Sequence, residues 1–411
     1  MFKKLAMSIT KTAWKPRYFD IGVNFSDPMF KGYYNSRPKH PSDLDKVIER
    51  AHVFNVDKML ITASSVKESK EHLSLCHDYK GKFFSTAGVH PCTVAQEFYV
   101  KDDSGQYTEE LRSDVDEVLQ ELKSIVVLGH KDGYIKAFGE IGLDYDRFHY
   151  SSKQQQLTMF EKQLQLIASL SHLQLPLFLH MRAACDDFVA VIKPFLDNGS
   201  ILPGNGVVHS FTGTEEELQK LLDLGFYIGV NGCSLRNEEN LPVAAKIPRE
   251  KLLIETDAPW CEVRKSHASY KYLTPYPNKF YPLVSNEELD TAYKEEEQED
   301  TTSAKPKPKQ KSKATNTIKY DDFLPYPSIK KENFAKHLDA VELKRKQFQN
   351  PELIDDRIGD FAHPLVKSRN EPVFVGYIAE IMCSLYGIKD DAEIEQFIDT
   401  VYENTCKLLK V

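Results

Sequence analysis

The chain has few of the residues that mark secreted, fibrous or membrane proteins. Its 411 residues include seven cysteines, an odd number, and no two of them form a Cys-x-x-Cys pair. That usage fits a reducing compartment better than a disulfide framework. No apolar run approaches the roughly 18 residues that span a bilayer, and the 19 glycines show no collagen-like excess. We therefore exclude a secreted disulfide-rich, a collagenous and a transmembrane protein.

Positive charge is also in short supply, with 53 Lys and Arg against 61 Asp and Glu, a formal net charge of −8. Any nucleic-acid surface must be a local patch, because the bulk charge repels phosphates. A hydrophobic fraction of 41% predicts a large core. We expect a cytoplasmic or nuclear protein with no membrane contact and no obligate protein partner. The basic lead-in at 1–16 leaves a mitochondrial targeting segment as an alternative.

Short apolar runs alternate with amphipathic helical patterns along most of the chain. Eight strands are predicted, at 18–24, 58–62, 83–89, 137–140, 177–180, 206–210, 226–230 and 252–257. The main helices predicted between them are 43–55, 67–80, 109–123, 154–173, 187–196 and 215–224. Eight such units in about 240 residues predict an α/β fold of the TIM (β/α)8 barrel type. The alternative, an open doubly wound sheet, lacks a Gly-rich loop after its first strand.

The alternation stops after the eighth strand, where a long low-complexity insertion follows. Residues 285–300 hold eight acids and one Lys, and 301–313 hold five Lys and no acid. We expect the barrel to comprise 17–261 and 367–411, with 262–366 as an insertion whose charged stretch 285–315 is disordered. The lysines fit a solvated loop or a nuclear-localisation or polyanion-binding tract. Two helices, 372–387 and 391–409, are predicted to close the barrel.

Ionisable residues end four of the predicted strands: Glu140, His180, His209 and Asp257, with His90 just past a fifth. Each has a structural explanation of its own, such as a hydrogen-bonded histidine, a carboxylate that binds loop amides or a helix N-cap. The carboxyl ends of barrel strands, however, converge on one face, where active sites are built. Ionisable groups at four barrel strands are costly unless something polar pairs with them. Their convergence therefore favours a metal cluster.

Six motifs in order resemble the TatD family of metal-dependent deoxyribonucleases: AGVHP (87–91), GEIGLDYDR (139–147), LHMR (179–182), VVHSFTGT (207–214), IETDAP (254–259) and KSRNEP (367–372). The resemblance covers 17–261 and 367–411. The opening FDIGVNFSDP is similar to the eukaryotic branch, and the long insertion is similar to that of its fungal members. It implies a TIM barrel of the amidohydrolase-like superfamily. The implied reaction is hydrolysis of DNA phosphodiester bonds as a 3′→5′ exonuclease, with endonuclease action as a further option. Eukaryotic relatives are associated with DNA degradation in cell death and with DNA repair.

The resemblance also implies roles for individual residues. Glu140 would bridge two divalent ions, His180 and His209 would bind one ion, and Asp257 would bind the other. His90 and Arg182 would contact the scissile phosphate. We expect Glu140 and Asp257 to be catalytic, with Asp257 accepting a proton from the attacking water. Asp144 is a candidate for orienting a ligand, and residues 369–371 for a structural clasp.

The first strand departs from the family pattern. Many relatives carry Asp-x-His-x-His there, whereas this chain has Gly22 and Asn24 in place of the two histidines. Oxygen donors therefore dominate that half of the site, and Asn24 is a weak metal candidate. Oxygen ligands favour Mg²⁺ as the cofactor, and the histidine half also suits Mn²⁺ or Zn²⁺.

Two other functions stay open from the sequence. One is an amidohydrolase-type amide or ester hydrolase, because a fold does not fix its substrate. Arg182 and the missing histidines favour a phosphate substrate over an amide. The other is a non-catalytic barrel that binds nucleic acid, against which the four predicted ligands are all present.

Overall fold

Eight parallel strands form the central sheet of the computed structural model, which describes residues 14–284, 319–320, 323–347 and 364–411. Each strand pairs with the next along the chain. Val23 and Ala258 form a parallel bridge between the first and last strand segments, and the Asn24 amide N–H donates to the Ala258 carbonyl at 2.8 Å. The sheet is thereby nearly closed, and the predicted TIM barrel is confirmed.

The barrel strands, numbered in chain order, are β1 Tyr18–Val23, β2 Val56–Ile61, β3 Phe83–Ala87, β4 Ile135–Asp144, β5 Leu177–Arg182, β6 Gly206–His209, β7 Tyr227–Val230 and β8 Leu252–Ile254. The α-helices are Leu44–Val53, Val66–Asp78, Val94–Phe98, Val115–Lys131, Lys153–Ala168, Cys185–Asp197, Glu215–Asp223, Asn240–Ala244, Lys331–Gln347, Val375–Leu385 and Asp391–Leu409. All eight predicted strands are confirmed, with ends that shift by a few residues.

The strands are apolar on both faces because both faces are buried. One core cluster takes a side chain from every barrel strand and therefore fills the interior: Phe19, Ile21, Leu60, Phe84, Ala137, Phe178, Val207, Tyr227 and Leu253. The last helix adds Tyr402, Leu408 and Leu409 to this cluster. Its Asn404 amide donates to the carbonyls of Arg249 and Leu252, where β8 begins. The helix thus covers the amino-terminal end of the barrel and leaves the carboxyl ends of the strands open.

One predicted helix is misplaced. The prediction 109–123 begins too early, because Tyr107–Leu111 is a strand that pairs with Tyr99–Lys101. The Asp102 side chain accepts the amides of Ser104 and Gln106 and so fixes the hairpin turn. The helix itself spans Val115–Lys131.

The described part of the insertion contains structure that the sequence did not predict. Pro327–Ile329 pairs antiparallel with Lys319–Tyr320 and parallel with Leu365–Val366, and the helix Lys331–Gln347 follows. A small apolar cluster joins this unit to the segment after β1: Tyr34, Ile329, Phe334 and Val366. The predicted disordered stretch 285–315 and most of the lead-in 1–16 lie outside the described residues. The division into barrel and insertion stays a prediction.

The segment after the insertion is fixed to the barrel by buried ion pairs. Arg369 donates to both carboxylate oxygens of Asp43, at 2.7 and 2.6 Å, and to Glu371 at 2.8 Å. Arg50 pairs in turn with Glu371 at 2.9 Å. The geometry matches the clasp expected at 369–371. Among the described helices, none is long and apolar enough to cross a bilayer.

Candidate metal centre

A cleft of about 690 Å³ opens at the carboxyl ends of the barrel strands. All seven site residues named from the sequence line it: Asn24, His90, Glu140, His180, Arg182, His209 and Asp257. His180 and His209 point into the barrel because they continue the inward alternation of Phe178 and Val207. The roles given to these residues remain predictions, but the structure brings the side chains together.

Glu140 reaches the cleft through an irregularity in β4. Phe138 and Ile141 both belong to the outer core cluster, so strict alternation does not place Glu140 inside. The register against β5 shifts between Gly139 and Ile141, and such bulges re-aim a side chain. Only glycine fits at position 139, because a Cβ there would lie 2.1 Å from the Phe178 carbonyl oxygen. The glycines around Glu140 in the sequence therefore serve its position.

Three imidazoles surround one oxygen of Glu140. Its Oε1 lies 3.3 Å from Nε2 of His90, 2.8 Å from Nδ1 of His180 and 2.5 Å from Nε2 of His209. Burial opposes the charged form of Glu140, yet the neighbouring histidines hold its pKa well below the usual value. Burial likewise opposes protonation of His209 and His90, and the Glu140 carboxylate raises the pKa of both. The cluster is a negative centre encircled by nitrogen donors.

Buried carboxylates hold two of these imidazoles from behind. Nε2 of His180 lies 3.1 Å from Oδ2 of Asp144, and Nδ1 of His209 lies 3.4 Å from Oε1 of Glu255. Glu255 Oε1 also accepts the Ser210 amide at 2.7 Å, which fixes the carboxylate in place. Carboxylates in this position orient histidine ligands and make them more basic. Asp144 was already a candidate for this role, whereas the sequence analysis missed Glu255.

Glu255 could have been found from the sequence, by the alternation of inward-facing residues. Leu253 points into the barrel, and Glu255 and Asp257 continue the same alternation beyond β8. Glu255 also explains the glycine in β1: a Cβ on Gly22 would lie 2.9 Å from Glu255 Oε2. The space above Gly22 is therefore taken by the carboxylate that supports His209.

Asp257 lies on the other side of the cleft with partners of its own. Its Oδ1 accepts the Asn24 side-chain amide at 2.9 Å, and its Oδ2 accepts the Cys261 thiol at 3.2 Å. Burial raises the pKa of Asp257, which favours a carboxyl able to hold a proton. The weak candidate Asn24 turns its nitrogen toward Asp257, while its oxygen accepts from Thr62 at 2.6 Å. In this arrangement Asn24 orients Asp257 instead of offering an oxygen ligand.

The donor set suits a divalent metal ion. His90, Glu140 and His180 each offer one ligand atom, and these atoms lie within 4.8 Å of one another. His209 Nε2 is a further 3.4 Å from His180 Nδ1. Two or three imidazoles with a carboxylate are ligands that Zn²⁺ and Mn²⁺ accept, and supporting carboxylates behind the rings are typical of metal sites. The position of His90 therefore suits a metal ligand as well as it suits a contact to the scissile phosphate.

Comparisons with known proteins agree with this geometry. The family described as "TatD related DNase" matches residues 19–298. "Deoxyribonuclease Tat-D" of Schizosaccharomyces pombe is 45% identical over 257 residues, 62% of this chain and 77% of that protein. "3'-5' ssDNA/RNA exonuclease TatD" of Citrobacter koseri is 38% identical over 265 residues, 63% of this chain and 83% of that protein.

The fold has a counterpart among solved structures. An uncharacterized amidohydrolase from Saccharomyces cerevisiae is 34% identical, with a TM-score of 0.68, and the match covers 96% of this chain and 99% of that one. By its matched residues, its barrel and the side chains at its mouth, the chain belongs to the family of TatD-related DNases, hydrolases that act on phosphoester bonds.

Proposed function

We propose that the chain hydrolyses DNA phosphodiester bonds from the 3′ end at a divalent-metal centre in the cleft. The observation that carries this proposal is the Glu140 carboxylate within 3.3 Å of three imidazole nitrogens, with Asp257 across the same cleft. The 3′→5′ direction is supported by the relative from Citrobacter koseri, which is named a 3'-5' ssDNA/RNA exonuclease. Endonuclease action, and roles in cell death or DNA repair, rest on the family resemblance alone.

Glu140, His180, His209 and Asp257 would hold the metal, with His90 beside them. A divalent ion in such a centre polarises a phosphoryl oxygen and lowers the pKa of a bound water. Mg²⁺ is our first expectation, because Asp257 and Glu140 offer oxygen donors, and Mn²⁺ or Zn²⁺ is the alternative for the histidine side.

The remaining chemistry belongs to the side chains. Arg182 lines the cleft and carries a fixed positive charge for the phosphate oxygens. His90, whose pKa is raised by Glu140, adds a donor on the same side. Asp257 accepts the proton of the attacking water at a carboxylate oxygen. The Asn24 side-chain amide donates to Asp257 and keeps this carboxylate in position. The water oxygen bonds to phosphorus, the bond from phosphorus to the 3′ oxygen breaks, and that oxygen takes a proton from solvent water. Solvent reaches the site because the cleft opens at the barrel mouth.

The test uses purified protein and DNA labelled at its 5′ end, with EDTA, Mg²⁺ or Mn²⁺. We expect a ladder that shortens from the 3′ end only with metal. Glu140→Gln and Asp257→Asn should each lower the rate at least 100-fold with native circular dichroism, because each removes a ligand charge. Glu161→Gln, at an exposed helix position, is the matched control. Equal rates for wild type and Glu140→Gln would refute the proposal.

An amide or ester hydrolase is the second candidate, because the solved structure from Saccharomyces cerevisiae is described as an amidohydrolase. It predicts metal-dependent turnover of amide or ester substrates by a protein that leaves DNA intact. A non-catalytic barrel would bind DNA equally well with and without divalent ions.

A further inference from the structure

Two serine hydroxyls line the side of the cleft that is built by the segments after β1 and β2. Ser26 follows β1 and Ser64 follows β2, and both belong to the cleft of the metal centre. The Asp27 amide N–H donates to the Asn24 carbonyl at 2.9 Å and closes a tight turn that contains Ser26. Since Asn24 also donates to Asp257, this turn holds Ser26 beside the residue that orients the predicted catalytic carboxylate.

A buried histidine receives the hydroxyl proton of Ser26. Nε2 of His72 lies 2.6 Å from the Ser26 oxygen, and Nδ1 of His72 lies 3.1 Å from the Ser85 oxygen. Ser85 has one hydroxyl proton, and it donates this proton to the Thr86 carbonyl at 2.8 Å, because a carbonyl can only accept. His72 therefore donates to Ser85 from Nδ1 and accepts from Ser26 at Nε2. Burial lowers the pKa of His72 to about 4, which keeps the imidazole neutral.

The hydroxyl proton of Ser64 is also engaged within the protein. Its oxygen lies 2.6 Å from Oε2 of Glu68, which accepts the Ser64 amide as well, at 2.8 Å. An ionised carboxylate can only accept, so each of the two serine oxygens has only lone pairs left for a ligand. The carboxylates of Asp27 and Glu68 line the same side of the cleft. We call Ser26, Asp27, Ser64 and Glu68 the acceptor wall.

Positive charge lies across the cleft from the acceptor wall. Arg182 ends β5 and Arg147 follows β4, and both residues line the cleft. Because the eight strands pair in chain order, β5 lies opposite β1 in the barrel. A nucleotide carries a partner for each side, an anionic phosphate for the arginines and a sugar hydroxyl that donates to an acceptor.

We propose that Ser26 accepts a hydrogen bond from the 3′ hydroxyl of the terminal nucleotide, so that the acceptor wall selects strands that end in a free 3′ hydroxyl. The inference rests on the proposed function and names the kind of 3′ end that its substrate carries. A 3′ phosphate would instead bring acceptor oxygens and negative charge against Asp27 and Glu68. His72 is a positioning residue, because it holds the Ser26 proton away from the substrate.

Short oligothymidylates that differ at the 3′ end test this inference on the full chain. The ends are a 3′ hydroxyl, a dideoxy sugar, a 3′ phosphate, and a 3′-deoxy sugar that keeps a 2′ hydroxyl. Each strand carries a 5′ fluorophore, and EDTA prevents cleavage while fluorescence anisotropy measures binding. We expect the 3′-hydroxyl strand to bind about 2- to 12-fold tighter than the dideoxy strand, in line with one hydrogen bond. Its advantage over the 3′-phosphate strand should be at least about 10-fold.

Variants then assign the preference to individual residues. Ser26→Ala should bind the 3′-hydroxyl and dideoxy strands equally, whereas Ser26→Thr, which keeps a hydroxyl, should retain the preference. His72→Leu leaves the Ser26 proton free to donate, so the 3′-phosphate strand should gain affinity relative to the 3′-hydroxyl strand. A purely structural role of His72 would weaken the binding of all strands alike. Ser124→Ala, at an exposed helix position, is the matched control and should bind every strand like wild type.

The outcomes separate this inference from the proposed function. Equal binding of the 3′-hydroxyl and dideoxy strands by wild type, or a preference that survives in Ser26→Ala, would overturn the inference even if the protein cleaves DNA. A 2′ hydroxyl that fully replaces the 3′ hydroxyl would also overturn it. A preference that depends on Ser26, in a protein that never cleaves DNA with any metal, would uphold the inference and refute the nuclease.

Discussion

Asp144 contacts His180 on the side of the imidazole that faces away from Glu140, with 3.1 Å between Asp144 Oδ2 and His180 Nε2. Asp144 is itself fully buried and also accepts the Asp146 amide at 3.0 Å. His180 therefore has one nitrogen fixed by a carboxylate, and its other nitrogen is directed at the predicted metal position. The pairing explains how the end of β4 sets the orientation of a residue on β5.

Asp144→Asn is expected to lower the affinity for Mn²⁺ about 10- to 100-fold, because the amide no longer holds the imidazole as a basic ligand. Isothermal titration of metal-free protein measures the change. Asp146→Asn, which alters an exposed carboxylate of the same loop, should leave the affinity within about twofold. Wild-type affinity in Asp144→Asn would show that His180 needs no orientation from this side.

Gly22→Ala is expected to weaken metal binding without touching a ligand. The new Cβ would lie 2.9 Å from Glu255 Oε2, so the carboxylate must shift, and the shift disturbs its contact with His209. We expect a loss of stability of about 1–3 kcal/mol, as for other overpacked cores, together with weaker Mn²⁺ binding.

Glu255→Asp provides the check on that explanation, because a shorter side chain leaves room for the added Cβ. The loss of stability in the double variant Gly22→Ala, Glu255→Asp should therefore be smaller than the sum of the losses in the two single variants. Thermal denaturation of the four proteins measures the coupling. Strict additivity would mean that Glu255 is not the residue that excludes a side chain at position 22.

Glu380, far from the cleft, is predicted to make stability depend on pH. Burial raises its pKa to about 7, against hydrogen bonds from Thr274. Between the ordinary value near 4.5 and 7 the folded protein binds the extra proton, so stability falls as pH rises through this window. Glu380→Gln should be about 3 kcal/mol more stable than wild type at pH 8, by an order-of-magnitude conversion of that shift. At pH 4.5 the two should be nearly equal.

Urea denaturation at pH 4.5, 6 and 8 measures this difference. Glu110→Gln, at an exposed strand position, should show no such trend. If Glu380→Gln and wild type differ by the same amount at all three pH values, the pKa of Glu380 is the same in the folded and the unfolded protein.

The fold could be predicted because its strands are buried on both faces and leave continuous apolar runs in the sequence. The ends of those runs also indicated the candidate site, since Glu140, His180 and His209 end or interrupt strands that converge. The helix Lys331–Gln347 was missed because its sequence is highly charged, with few apolar positions, so its amphipathic pattern is weak. Its buried Phe334 packs against His40, with ring centroids 4.6 Å apart, a contact between distant segments.

The contacts that orient the predicted ligands were harder to predict. The contact between Glu255 and His209 joins residues on β6 and beyond β8, and sequence spacing does not reveal such a pair. The inward turn of Glu140 depends on a register shift in β4, which the neighbouring glycines only suggest. The local sequence pattern thus locates the ionisable residues at the strand ends, whereas contacts between strands set how their side chains are oriented.

The most direct test of the central claim is anomalous diffraction from crystals grown with Mn²⁺. The account predicts an anomalous peak in the cleft, about 2.0–2.3 Å from Glu140 and from at least one nitrogen of His180 or His209. Crystals of Glu140→Gln should lose the peak or show it weakened. A protein that cleaves DNA with Mn²⁺ while its peak lies away from Glu140 would contradict the account.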